Sequence, residues 1–193
     1  MTQTSTELMT YLSARRSIPA ARLIEPAPSG AELERILTVA ARVPDHGKLA
    51  PWRFIVLAGA DRNAFVDRLM EIWRTNNPDA SEEAGRIERG KRDGGPLLVV
   101  VVSRAGEHPK IPVWEQELSA GAACMNFIHA TNALGYAAQW LTGWPAYDRD
   151  VAAVLGMEEG ERIAGYMHVG TPDEGPIERD RPDLADIVSH WRG

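Results

Sequence analysis

Six apolar residues in unbroken succession, Leu97-Leu98-Val99-Val100-Val101-Val102, constrain this chain more than any other feature. Successive side chains of a strand point to opposite faces, so a strand with one wet face alternates apolar and polar residues. A short run that is apolar at every position and rich in valine fits a strand covered on both faces. It is far too short to cross a bilayer, which takes about 20 apolar residues as helix. The rest of the chain therefore has to supply helices for two sides of a sheet.

The pattern offers them. Ser5 to Ala14 reads as a first helix, with Leu8, Tyr11 and Leu12 on one face. Ser29 and Glu32 read as a capping box, opening a helix striped by Leu33, Ile36, Leu37, Ala40 and Ala41 and ended by Pro44. Asp61 is placed to cap a helix whose apolar positions are Phe65, Val66, Leu69, Ile72 and Trp73. Trp114 to Leu134 reads as one long helix closed by Gly135, and Asp148 to Leu155 as a short one closed by Gly156. Leu184 to Trp191 reads as a last helix. Arg53 to Leu57, Tyr136 to Trp140 and Ile163 to Val169 are further strands. The polar stretch from Thr75 to Gly95 reads as a partly helical excursion of the kind that often serves as a lid or binding loop. Helices around a few non-adjacent strands give an α+β or α/β layering, expected as one domain over residues 1–193.

The long helix has small residues at its centre, Ser119-Ala120-Gly121-Ala122-Ala123. Small residues let another backbone come close. Tight internal packing explains them, and so does contact with a second copy of the same helix.

Composition narrows the function. The formal net charge of −6 argues against a nucleic-acid partner, which needs a basic face, and leaves room for a local basic pocket. A single cysteine, Cys124, can form neither an intrachain disulfide nor a cysteine metal cage. That usage fits a reducing compartment. The start, MTQTSTELMTYLSARRS, has no apolar core behind a basic end, so no signal peptide and a cytoplasmic location are expected. The five histidines, at 46, 108, 129, 168 and 190, show no metal-ligand spacing, so no metal is expected. Glycine-rich nucleotide loops, H-E-x-x-H and G-x-S-x-G are absent from the sequence.

Three segments carry candidate chemistry. Arg15-Arg16-Ser17 ends the first helix. Arginine presents a planar fork matched to phosphate oxygens, and Ser17 adds a short donor. The ordinary alternative is a solvated, dipole-favoured helix end. Arg42 to Phe54, with Pro44-Asp45-His46-Gly47-Lys48 and Pro51-Trp52, is a donor-rich loop able to frame a planar ligand, or an ordinary connector with a buried Trp52. Gln139-Trp140-Leu141-Thr142-Gly143-Trp144 brings aromatic surface and a hydroxyl to a strand end, or packs tryptophan into the core. A hydrolase built from Ser17, His46 and Asp45 is a rival reading that the spacing does not support.

In order and spacing, Arg15-Arg16-Ser17, Pro44-Asp45-His46 through Pro51-Trp52-Arg53-Phe54, His108-Pro-Lys-Ile-Pro-Val-Trp-Glu-Gln-Glu-Leu-Ser-Ala-Gly-Ala-Ala, Gly135 to Gly143 and Ile163 to Pro172 resemble the nitroreductase family, in its small single-domain subgroup. Many members carry Pro-Ser-x-x-Asn-x-Gln-Pro-Trp where this chain has Pro44 to Trp52; the small subgroup shares the Pro-Asp-His form, and the departure leaves the substrate class open. The resemblance implies an α+β sandwich, a mainly antiparallel sheet flanked by helices, and a homodimer with FMN at the subunit interface. It implies that Arg15, Arg16, Ser17, Arg42, His46, Trp140, Leu141 and Thr142 contact FMN, with Arg42 and His46 partly from the other subunit. Arg181, or its neighbour Arg179, joins the phosphate site. Ala130, Thr131, Asn132, Ala133, Leu134 and Gly135 are associated with NAD(P)H. The implied activity is hydride transfer from NAD(P)H through FMN to an electron-poor acceptor such as a nitroaromatic or quinone, in ping-pong order, with no protein residue as the reacting group. Arg15, Arg42 and Lys48 are the cations available to stabilise reduced flavin. Other flavin enzymes on this scaffold (dehydrogenase, dehalogenase, flavin-degrading) and a non-catalytic FMN carrier remain the alternatives.

Overall fold

A computed structural model of the chain describes residues 4–193. Residues 1–3, where the segment read for a leader begins, lie outside the described residues. The elements in chain order are α1 (Thr6–Ala14), β1 (Leu23–Ile24), α2 (Gly30–Ala40), β2 (Trp52–Ala58), α3 (Gly59–Asn76), α4 (Glu82–Arg92), β3 (Leu97–Ser103), α5 (Val113–Ala133), β4 (Ala137–Leu141), α6 (Arg149–Val154), β5 (Arg162–Pro172) and α7 (Leu184–Ile187).

The apolar run is β3, buried at every position. It lies between β2 and β5 in a five-stranded sheet of order β1-β5-β3-β2, with β4 pairing β5 from the other side. Every pairing is antiparallel. Leu97, Val99 and Val101 face a core with Ile36, Phe127, Ile128 and Met167, built under α2 and α5. Leu98, Val100 and Val102 face Phe65, Leu69, Ile72, Val151 and Tyr166, built under α3 and α6. Each such side chain contributes about 1.5–3 kcal/mol relative to exposure, which is why an all-apolar strand sits in the middle layer. The fold is the expected antiparallel α+β sandwich.

Three local expectations are corrected and one is met. Ser29 stands at the N-terminus of α2 without a side-chain cap bond. Gly30 turns the chain there at φ +48, and the Glu32 carboxylate accepts the Tyr136 hydroxyl at 2.8 Å, so the reciprocal box cannot close. Asp61 does not cap α3, which starts two residues earlier at Gly59; Asp61 sits in the first turn, where its charge still suits the helix dipole. The stretch Thr75 to Gly95 is partly helical as expected: α3 runs on to Asn76 and α4 occupies Glu82–Arg92, capped by Ser81 accepting from the Ala84 N–H. Finally, the last helix stops at Ile187 rather than Trp191. None of its residues is buried, and a lone turn capped by Asp183 has no packing to propagate it.

Among the described residues, no helix is long and apolar enough to cross a membrane, and no group of three or more His, Cys, Asp or Glu is arranged to hold a metal ion.

Candidate functional site

β4 and the end of α1 come together on one side of the sheet. Residues 18–23 dock on β4, where Ile18, Leu23 and Ala137 form a small buried cluster. The Ala20 N–H donates to Gln139 Oε1 at 2.5 Å. This fixes Arg15 and Ser17 beside the C-terminal end of β4. The result is a pocket of about 430 Å³ lined by Arg15, Ser17, Met125, Ile128, Trp140, Leu141, Thr142 and Ala164. That volume lies in the range of about 300–1,000 Å³ typical of small-molecule sites. Five residues named from the sequence, Arg15, Ser17, Trp140, Leu141 and Thr142, thus share one pocket.

Arg15 has an unmet demand. Its Nη1 is buried without a hydrogen-bond partner. A buried unsatisfied donor costs about 1–3 kcal/mol, more for a charged group, so it needs a reason. Its charge is also felt behind the pocket. Tyr11, whose hydroxyl lies 3.0 Å from His129 Nδ1, is raised by burial and partly lowered again by Arg15; His129 is lowered first by burial and then by Arg15. A cation with one unpaired nitrogen, hydroxyls on Ser17 and Thr142, and apolar walls from Met125, Ile128 and Leu141 suit a ligand with an anionic head and a flat apolar body. FMN meets that description.

Trp140 forms the wall. Its Nε1 donates to the Ala164 carbonyl at 3.0 Å. The register between β3 and β5 slips there: Val101 pairs with Gly165 and Val102 with Ile163, leaving Ala164 as a bulge. The bulge frees that carbonyl from the ladder. Gly165 then lets the indole lie on the strand, since a Cβ there would meet Trp140 Nε1 at 2.0 Å. Beyond the indole, Trp140 and Ala164 also line a second cavity of about 560 Å³, with Gly121, Tyr147, Met157 and Arg162 among its walls. Sequence reasoning missed Ala164 and Gly165. An isolated glycine inside a strand pattern signals a bulge or a close approach, and Gly165 is one.

The other residues named from the sequence lie elsewhere. Arg16 does not reach the pocket: its guanidinium forks onto Glu178 and donates to the Ser13 and Arg15 carbonyls, tying the C-terminal segment to α1. Arg181 is exposed and donates to the Arg179 and Asp180 carbonyls. Arg42 and His46 sit on the loop before β2, and neither lines the pocket. The Arg42 carbonyl accepts from Asn126 Nδ2 at 2.9 Å, and His46 Nδ1 is 2.7 Å from Glu115 Oε2. That loop is strained: Gly47, Lys48 and Ala50 all have positive φ, and the Asp45 carboxylate holds them by accepting the Leu49 and Ala50 N–H groups at 3.1 and 2.8 Å. With His46 engaged by Glu115 and absent from the Ser17 pocket, no triad with Ser17 is formed. Of Ala130 to Gly135, Ala130, Ala133 and Leu134 line a separate groove between α1, α2 and α5. Thr131 donates to the Phe127 carbonyl at 2.8 Å, Asn132 Nδ2 to the Tyr136 carbonyl at 3.1 Å, and Gly135 turns at φ +86, so these three close the end of α5.

The small-residue stretch divides. Ser119, Ala120 and Ala123 are buried; Gly121 and Ala122 are half-buried, and a Cβ on Gly121 would meet nothing within 4 Å. Internal packing explains the first three. It does not explain Gly121.

Comparison with known proteins agrees with this architecture. The solved structure of a nitroreductase-like family protein from Bacillus cereus superimposes with a TM-score of 0.83 at 22% identity, covering 100% of both chains. A nitroreductase with bound FMN from Bacteroides fragilis gives 0.69 at 21% identity, covering 97% of this chain and 100% of that one. A relative named "Putative NAD(P)H nitroreductase YdjA", from Escherichia coli strain K12, is 36% identical over 188 residues, which cover 96% of this chain and 100% of that protein. The profile of the nitroreductase family matches residues 12–171, from inside α1 through nearly all of β5, and so takes in every wall of the Arg15 pocket. By sequence and by fold, the chain belongs to the nitroreductase family.

Proposed function

We propose that this protein is an FMN-dependent oxidoreductase that takes reducing equivalents from NAD(P)H and delivers them to an electron-poor acceptor, a nitroaromatic or a quinone, in ping-pong order. The observation that carries the reading is the buried, unpartnered Nη1 of Arg15 beside a pocket whose other walls are two hydroxyls, Ser17 and Thr142, and apolar and aromatic side chains. FMN supplies the hydride chemistry when bound. Arg15 and Ser17 hold its phosphate, and Trp140, Leu141 and Thr142 bound the space in which it lies. The phosphate meets one arginine and two hydroxyls here, with no glycine-rich loop for a pyrophosphate, which favours FMN over FAD.

The working unit is a homodimer with one flavin at each end of the interface. Leu8, Met9 and Leu12 on α1, Trp114 and Leu118 on α5, and Ile187 and Trp191 near the C-terminus are large apolar side chains left exposed. Exposed apolar surface on this scale favours an association face. The strained His46 loop and Arg42 stand on that flank, in keeping with a contribution to the partner's flavin, and strain of this kind collects at functional sites. Of Ala130 to Gly135, the three that line the α1–α5 groove, Ala130, Ala133 and Leu134, stay assigned to NAD(P)H; Thr131 is fully buried, and with Asn132 and Gly135 it closes α5.

The test is direct. The purified protein is heated and the released flavin weighed by mass spectrometry; the bound flavin is then titrated anaerobically with NADH and NADPH and challenged with an acceptor panel. FMN in stoichiometric amount, bleached by one nicotinamide and reoxidised by nitroaromatics or quinones, is the expected result. FAD, or no flavin after reconstitution, overturns the cofactor; flavin that no nicotinamide bleaches leaves a carrier rather than an enzyme.

A further inference from the structure

The segment that walls the candidate site is not held by β4 alone. At Gly143, φ +87 and ψ −171, the chain adopts a conformation essentially confined to glycine, and Trp144 leaves toward α4. Its indole Nε1 donates to Glu88 Oε1 at 2.7 Å. The same oxygen accepts Arg92 Nε and Nη2 at 2.9 and 2.7 Å, and Glu88 Oε2 accepts Lys91 Nζ at 3.1 Å. The Glu88 side chain is only 8% exposed. Burial pushes its carboxyl up, but the indole, guanidinium and ammonium donors together pull it further down, so it is ionised. Arg92 stands 6.0 Å over the Trp144 ring, and its Nη2 would be 3.5 Å from a Cβ on Gly143.

α4 is itself anchored. Arg62 Nη2 donates to the Arg92 and Gly94 carbonyls at 2.9 and 3.1 Å, and His168 Nδ1 donates to the Gly94 carbonyl at 2.6 Å. A carboxylate that only braced its own helix would need Lys91 and Arg92, three and four residues on; the indole reaches it from 56 residues away. Glu88 therefore ties Trp144, which also packs on the core under α3 and α6, to α4, and Trp144 is two residues from Thr142.

We propose that Glu88 is a positioning residue for the flavin site: through Trp144 it sets where Leu141 and Thr142 stand relative to Arg15 and Ser17, and so sets flavin affinity and orientation. This rests on the flavin reading above. It also gives the polar stretch between α3 and β3 a task, as a strut rather than a lid.

The experiment titrates apo-protein with FMN for wild type, Glu88→Gln, Trp144→Phe and the double variant, recording the dissociation constant, the visible flavin spectrum and the melting temperature. Trp144→Phe keeps an aromatic ring and removes the N–H, and should weaken FMN about tenfold, equivalent to about 1.4 kcal/mol, with a shifted flavin band. Glu88→Gln keeps an oxygen for the indole but frees Arg92 and Lys91, and should act in the same direction. In the double variant the losses should not add, as for groups acting through one contact. If Glu88→Gln does not fold, Trp144→Phe, which leaves the charge cluster intact, carries the test. Lower melting temperatures with wild-type affinity and spectrum would overturn the proposal, because a mere brace for α4 predicts that pattern. Wild-type protein that takes up no FMN overturns the flavin reading and this inference with it; uptake that is equal in all four proteins overturns this inference alone.

Discussion

Gly165→Ala separates the site from the fold. The new Cβ would lie 2.0 Å from Trp140 Nε1, and ordinary contact begins at 3.4 Å, so the indole must move by more than an ångström. Trp140 is 37% exposed, and its indole can swing outward. Leaving Ala164 costs its hydrogen bond, about 0.5–1.5 kcal/mol net. Replacing glycine at an unstrained position returns about 0.4–1 kcal/mol through the unfolded chain. These terms oppose, so stability should change by less than about 1 kcal/mol, a shift of roughly 2–4 °C at most for a chain of this size. The displaced ring cannot avoid the site, since it lines both the Arg15 pocket and the larger cavity beside it. Losing one well-placed aromatic contact is worth about 0.5–1.5 kcal/mol, so FMN affinity should fall about two- to tenfold. Thermal melts of the apo-protein, with flavin fluorescence titrations alongside, read both quantities. A melting temperature lowered by more than about 10 °C with unchanged FMN affinity would show Trp140 to be a core residue and refute the reasoning.

Three further outcomes follow from the same geometry. Burial holds His168 down at about 4 against 6.5 when free, so the folded state prefers it neutral; its contribution is full above about pH 6.5 and is lost as pH falls toward 4, some 3 kcal/mol in all, and His168→Gln should flatten the pH dependence of melting across that window. Gly121→Leu meets no atom of its own subunit at the Cβ, so light scattering should show loss of dimer with a near-normal melting temperature, whereas a wild type that runs as a monomer while holding FMN and turning over would end the shared-site proposal. Burial pushes the Cys124 thiol up to about 12, so an aromatic disulfide reagent at pH 8 should titrate it only after unfolding, and reaction of native protein would place the thiol at an accessible surface.

Particular residues show what the sequence could carry. Leu97 to Val102 announced a strand covered on both sides because every side chain is buried, so no polar residue interrupts the pattern. The long helix α5 was legible because no proline interrupts the run from Trp114 to Leu134, and its end because Gly135 has the left-handed conformation its place demands. The pocket at Arg15 was legible through the family's motif order, and the structure adds its physical sense: one guanidinium nitrogen without a partner. Neighbouring positions were not legible, because side chains with the right chemistry were claimed by distant partners. Arg16 is taken by Glu178 and Glu32 by Tyr136, and no local pattern reveals a contact across 162 or 104 residues. The stretch before β3 was legible only as a partly helical excursion because α4 is almost wholly charged and offers few apolar residues to mark a packed face; its one buried glutamate became meaningful only with Trp144 in view.

Arg15→Ala tests the central claim most directly, because the two halves of the account predict effects of opposite kind. In the apo-protein the substitution removes a buried donor that has no partner, so the melting temperature should be unchanged or higher. In the presence of FMN it removes a charged hydrogen bond to phosphate, worth about 1.5–3 kcal/mol, so the dissociation constant should rise roughly ten- to a hundredfold. Calorimetric titration of wild type and Arg15→Ala with FMN, together with melts of both apo-proteins, gives the two numbers. Weakened binding with an intact fold is the predicted result. Equal FMN affinity in the two proteins would contradict the account and place the flavin somewhere other than the Arg15 pocket.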